Sequence, residues 1–282
     1  MMNKISVLAL IIASAALLIS FTQSQKSNPV QETSFERIVR TETIRCGYAV
    51  AYPELIKDPV TKKLSGYDYD VANAIGDALG LKVEWVEEVG WGAVEQGLKT
   101  KRYDMACNSF WAHPPRAKAA VFSTPIVYHP LFPVVRGTLE GPKDNYSWLN
   151  DPKYKMLILD GTIGNLIAAN YFPSAKVVDA AVIASEGDFF LNLAMGKADF
   201  SFSSLSMIKL FNEQNPGKIK ILPVEIEVTN GALLLPNDDW RTKQMVDKAI
   251  AYLLDSGRIK EIMTHHMGND SRLWRLPAQS YR

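Results

Sequence analysis

Apolar residues run almost unbroken over 5–21, after a start carrying Lys4 and before the polar run 22–27. A charged beginning, an apolar stretch and small residues near a cut describe a secretory signal, and Thr22 and Ser24 suit cleavage after Ser24. The alternative is an uncleaved anchor, because the stretch is near the lower limit for spanning a bilayer. Residues 1–24 are therefore read as a signal peptide and the polar residues 25–35 as a flexible leader. No later stretch is long and apolar enough to cross a membrane.

Beyond the leader, strand-like runs at 43–50, 81–86, 103–107 and 131–135 alternate with helical spacing. Val71, Ala74, Ile75 and Ala78 share one face of a helix over 70–79 that Gly80 stops, and Trp91, Val94 and Leu98 mark a second helix. The pattern then restarts. A strand at 155–159 leads to a helix opened by Gly161-Thr162 that carries Ile163, Leu166, Ile167 and Tyr171. A strand at 176–178, a helix over 189–195 ending at Gly196 and a strand at 199–202 follow. A late strand at 231–235 precedes a long helix capped by 237–239, with Met245, Ala249 and Leu253 on one face and a stop at Ser256-Gly257. This alternation predicts an α/β protein with two lobes, each a mostly parallel sheet flanked by helices.

The length of 282 residues fits two domains at roughly 150 residues each. With 47% hydrophobic and 22% charged residues the chain can bury a core, which excludes wholesale disorder. The net charge of +1 offers no basic excess to hold a phosphate backbone, so nucleic-acid binding is not expected. Cys46 and Cys107 are the only cysteines, which excludes a disulfide-rich scaffold and a four-cysteine zinc site. Four histidines, two of them the pair His265-His266, leave little for a metal centre. Nucleophile motifs and Gly-rich phosphate loops are absent, and no cofactor is expected.

Five motifs in order carry a resemblance. Gly66-Tyr67-Asp68-Tyr69-Asp70-Val71-Ala72 is similar to a Gly-aromatic-Asp-x-Asp-Leu-Ala segment, and Trp91, Leu98 and Tyr103-Asp104 keep the spacing that follows it. Arg116, ahead of Phe122-Ser123-x-Pro125, resembles a Glu-Arg…Phe-Ser-x-Pro signature. Asp160-Gly161-Thr162 resembles Gln-Gly-Thr, and Gly196-Lys197-Ala198-Asp199 resembles Gly-Lys-x-Asp-Ala. From about Ile44 to about Met267 the chain thus resembles the periplasmic polar-amino-acid-binding proteins of ABC importers, extracellular solute-binding protein family 3. The resemblance implies the periplasmic-binding-protein fold, with two lobes joined by two crossover strands and closing over a ligand. Lobe 1 would take 36–131 plus 228–282, and lobe 2 would take 132–227.

The resemblance also implies a site. Arg116 matches the arginine that clamps the ligand carboxylate, and a guanidinium fork suits that task. Taken alone, any one basic residue is more often a solvated surface side chain, and an open cleft should leave Arg116 hydrated and unpaired. Gly161 and Thr162 match a helix start that meets the same carboxylate, although a plain capping threonine has the same sequence. Tyr52 and Trp91 match positions that sandwich the ligand side chain, Ser109 matches a ligand-bonding serine, and Trp111 replaces a small hydroxyl residue. Ser204 departs from the pattern, because it stands where an aspartate pairs with the ligand's α-ammonium. A buried ammonium without a carboxylate is costly. Either Glu54 or another acid takes over that role, or the ligand lacks the ammonium and an organic acid competes well with common amino acids. Cys46 and Cys107 fall on strands that neighbour each other in this fold, where a disulfide and two buried thiols are both open.

The implied function is capture of a small carboxylate-bearing solute, an amino acid or related organic acid, by an exported periplasmic monomer that delivers it to an ABC permease. No catalysis is expected. Two alternatives stand beside it: an enzyme on the same fold resembling cyclohexadienyl dehydratase, for which Glu54 and His113 are candidate acid–base groups, and a sensor presenting its ligand to a receptor.

Overall fold

The computed structural model describes residues 32–159, 162–180 and 186–278. The expected signal, its expected cleavage site and most of the expected leader lie outside the described residues. The chain divides after Thr33, and of that N-terminal unit only Glu32 and Thr33 are described, neither in a helix or strand. The second unit carries all the described elements.

Helix α1 (Ser34–Thr41) takes in the last two residues of the expected leader, because Ser34 is buried and the Phe35 N–H donates to Asp239 Oδ2 at 2.7 Å. Strand β1 (Thr43–Tyr48) follows, then the small hairpin β2 (Ile56–Lys57) and β3 (Leu64–Ser65), helix α2 (Tyr67–Leu79) and strand β4 (Lys82–Glu88). Helix α3 (Val94–Lys99) leads to β5 (Met105–Trp111), a tight 3-10 turn at Arg116–Lys118, β6 (Val121–Phe122) and the long β7 (Val127–Arg136). The second series is β8 (Lys155–Leu159), α4 (Gly164–Tyr171), β9 (Lys176–Ala180), α5 (Glu186–Ala194), β10 (Phe200–Ser204) and α6 (Leu205–Gln214). After β11 (Ile219–Ile221) the chain returns through β12 (Glu227–Leu235) and ends in α7 (Trp240–Asp255) and α8 (Arg258–Met267).

The main sheet runs β4-β1-β5-β12-β7-β10-β8-β9, with β11 on β7 and β6 on β12. Its flanks are parallel: β1 pairs with β4 and β5 on one side, and β8 pairs with β10 and β9 on the other. The centre is antiparallel, because β12 pairs with both β5 and β7, and β7 pairs with β10. Two parallel α/β lobes joined by the crossover strands β7 and β12 result, the two-lobed binding-protein architecture expected from the alternation and the resemblance.

Apolar faces sort the cores. Ile38, Ile44, Val71, Ile75, Ile250 and Met263 belong to one buried cluster, and Val94, Leu98, Tyr103 and Phe110 to a second. Two further clusters draw their buried members from residues 131 to 226, with Ile158, Ile167 and Phe172 in one and Phe190, Ile208 and Phe211 in the other. The motif acids hold strand ends. Asp104, fully buried, accepts the Arg45 N–H at 2.7 Å and pairs with Arg37 and Arg45. Asp199 pairs with Arg136 at 3.0 Å and accepts the Lys155 N–H at 2.9 Å. Ser123 clasps β12, exchanging hydrogen bonds with the Leu233 backbone at 2.9 and 3.0 Å. Cys46 and Cys107 form a disulfide with Cα atoms 5.5 Å apart, which settles the alternative left open by the sequence.

Candidate ligand-binding site

The Gly-Tyr-Asp motif builds one wall. Gly66 has φ 111°, and a Cβ there would stand 2.4 Å from the Glu54 carbonyl oxygen, so only glycine lets α2 start beneath that loop. The Asp68 N–H donates to the same carbonyl at 2.9 Å. Asp68 accepts from the Ser109 N–H at 3.0 Å, Ser109 Oγ at 2.8 Å and Asn108 Nδ2 at 3.2 Å. Burial outweighs these donors and pushes its carboxyl up to about 6. Asn108 also exchanges hydrogen bonds with the Ala49 backbone at 2.8 and 3.0 Å, tying the loop after β1 to β5. Tyr67 is buried beside Glu54 and Asp68. Burial, and then those acids, hold its hydroxyl well above the usual tyrosine range.

Arg116 sits on the turn after β5, 7% exposed. Its Nε lies 2.6 Å from Glu95 Oε1, its Nη2 donates to the Trp91 carbonyl at 2.9 Å, and its guanidinium lies 5.6 Å from the Phe110 ring centre. The expectation of a hydrated, unpaired Arg116 is corrected: α3 brings Glu95 onto it, because removing a guanidinium from water requires a partner. Trp91 packs edge-to-face on Phe110 at 5.2 Å. The Arg116 N–H is shared between the His113 carbonyl at 3.2 Å and His113 Nδ1 at 3.4 Å, and His113 Nε2 is buried without a hydrogen-bond partner among the described residues. Burial, followed by the Arg116 charge, lowers the His113 ring to about 4.

A cavity of about 120 Å³ brings these residues together. Of the residues singled out in the sequence, Glu54, Trp91, Ser109, Trp111, Arg116 and Thr162 line it, as does His113. Tyr52 does not: it stands 46% exposed on the turn closed by mutual Ala51 and Leu55 hydrogen bonds, which turns Glu54 inward instead. Ser204 is absent from the wall as well. It is buried at the start of α6, its hydroxyl 3.0 Å from Ser206 Oγ. Gly161 lies outside the described residues. Thr162 also serves its own helix, donating to the Leu159 carbonyl at 2.6 Å and accepting the Gly164 N–H at 3.2 Å. The strands and helices expected from the sequence contain Ile158, Leu159, Ile163, Phe189, Phe190 and Phe202, none of them assigned to the site, and Ser203 and Met207 fall outside those elements. The run Phe200-Ser201-Phe202-Ser203, immediately before the departure at Ser204, was the available signal. No group of three acidic, histidine or cysteine side chains able to hold a metal occurs among the described residues.

The chain belongs to the bacterial extracellular solute-binding proteins, family 3, whose model matches residues 44–269. A probable amino-acid ABC transporter-binding protein of Haemophilus influenzae is 24% identical over 83% of this chain and 88% of its own. Cyclohexadienyl dehydratase of Pseudomonas aeruginosa is 22% identical over 83% of this chain and 86% of its own. The solved structure of a putative ABC-transporter binding component from Wolinella succinogenes, complexed with lysine, superposes with a TM-score of 0.68 at 20% identity. It covers 79% of this chain and 95% of its own. Such proteins bind solutes for ABC transporters, and no helix among the described residues is long and apolar enough to cross a membrane.

Proposed function

We propose that this chain is an exported receptor that captures an α-amino acid between its lobes, taken as 36–131 plus 228–282 and 132–227, and delivers it to the permease of an ABC importer. One observation carries the reading. A guanidinium at Arg116 and a carboxyl at Glu54, 7% and 2% exposed, line the same otherwise largely apolar cavity. A zwitterion is the small solute whose charges suit that pair, with its carboxylate on Arg116 and its ammonium on Glu54. Glu54 thereby replaces the aspartate missing at Ser204, which favours the first of the two alternatives left by the sequence. The amino-acid-binding relatives support the same class of ligand, and residues 1–24 supply the export signal.

Titration calorimetry with α-amino acids and their deaminated analogues tests this. Amino acids should bind at least tenfold more tightly than analogues lacking the ammonium. Equal or tighter binding of the analogues would remove Glu54 from the ligand and make the solute an organic acid. Turnover of a bound solute, in place of its reversible binding, would favour the dehydratase-like alternative.

A further inference from the structure

Most polar side chains of the cavity wall are already engaged. Ser109 Oγ donates to Asp68 at 2.8 Å, Thr162 Oγ1 serves the start of α4, and Ser203 Oγ donates to Met207 Sδ at 3.3 Å. The Arg116 guanidinium meets Glu95 and the Trp91 carbonyl, and its remaining N–H groups are the ones the proposed function assigns to the ligand carboxylate. Next to it the buried His113 Nε2 has no hydrogen-bond partner among the described residues, a second polar atom at the same anchor. The other wall surface is apolar and heavily aromatic, with Trp91, Trp111, Phe189, Phe202 and Met207 among its members.

We propose, resting on the amino-acid reading above, that the cavity selects a large apolar side chain, an aromatic ring ahead of a branched aliphatic one. With Arg116, His113 and Glu54 taken up by the ligand's own carboxylate and ammonium, a charged or amide-bearing side chain would meet rings and committed hydroxyls, where its polar end loses water and finds no partner. An aromatic ring loses nothing there, and gains edge-to-face contacts of the kind Trp91 already makes with Phe110. The walls thus differ in kind from what a lysine-sized cation requires. Trp111 is the residue that closes the space where a small hydroxyl was expected.

The test is calorimetry on the mature chain with L-phenylalanine, L-tryptophan, L-leucine, L-arginine, L-lysine and L-glutamate. The aromatic pair should bind at least tenfold more tightly than the three charged amino acids. Tightest binding by arginine, lysine or glutamate overturns this proposal alone, whereas absence of binding by every member overturns the amino-acid reading and this proposal with it. Trp111→Ser should weaken phenylalanine binding at least fivefold, and Trp111→Phe should keep most of it, with the melting midpoint showing that both fold. Unchanged phenylalanine affinity in Trp111→Ser counts against the proposal.

Discussion

Gly66 couples backbone conformation to the site. Its φ of 111° and the nearness of the Glu54 carbonyl leave no space for a side chain. Gly66→Ala should therefore cost ~1–3 kcal/mol in urea denaturation, as a strained backbone residue does. The displaced Glu54 loop should weaken ligand binding by calorimetry; unchanged stability and affinity would show that the loop gives way freely. His129, 1% exposed on β7, is lowered to about 4 by burial. Between pH 6.5 and 4 the unfolded chain binds a proton there that the folded chain refuses, so stability falls as pH falls through that window and is fully present above it. His129 thereby contributes on the order of 3 kcal/mol of stability above that window. His113 acts in the same direction, whereas Asp68, raised to about 6, holds a proton more tightly when folded and opposes them between pH 4 and 6. His129→Gln should flatten the pH dependence of the melting midpoint between pH 6.5 and 4.5. An unchanged slope would show that His129 is not the group responsible.

Strands β1 and β5 lie side by side and carry the disulfide, which closes a loop with a sequence separation of 61. By loop entropy such a bond stabilises by about 4 kcal/mol. The double substitution Cys46→Ala and Cys107→Ala should lower unfolding stability by ~2–4 kcal/mol, and the denatured, unreduced wild type should present no free thiol. Two thiols per chain would contradict the pairing. Elements bounded by clear stops were legible: β8 falls on its expected residues, and α7 ends at Ser256-Gly257. Gly257 in the left-handed region is not the end of the helical run, however, because α8 begins immediately after it. A stop signal in sequence does not distinguish a terminus from a corner. Helix α6 was missed because Leu205, Ile208 and Phe211 follow without a break from the buried strand β10. The hairpin β2–β3, two residues a side, is too short to leave a periodic pattern. Of the charged lining residues, Arg116 was legible through motif spacing, whereas Glu54 was only a substitute for a missing acid and the Glu95 pair was not foreseen. Its apolar wall was not, since a phenylalanine facing a cavity and one facing a core look alike until the lobes are assembled.

The two lobes meet along β7 and β12, and the cavity draws Arg116 and Trp91 from the first α/β series and Thr162, Phe189 and Phe202 from the second. A solute bridging both series would tie them together. A ligand at ~100 times its dissociation constant should then add ~2.7 kcal/mol to unfolding stability, visible as a raised melting midpoint. Because Arg116 is buried against Glu95, Arg116→Ala should also cost the unliganded protein ~1–3 kcal/mol. Affinity and stability must therefore be read separately, at a temperature where both proteins are folded. The most direct measurement is calorimetric titration of wild type and Arg116→Ala with the tightest-binding member of the amino-acid panel. Loss of a buried charge partner, ~3–5 kcal/mol, predicts an affinity lower by roughly two to three and a half orders of magnitude. Arg116→Lys should recover little of it, because a point charge lacks the fork. An affinity unchanged by Arg116→Ala in a folded protein would contradict the account, since the carboxylate would then be held elsewhere.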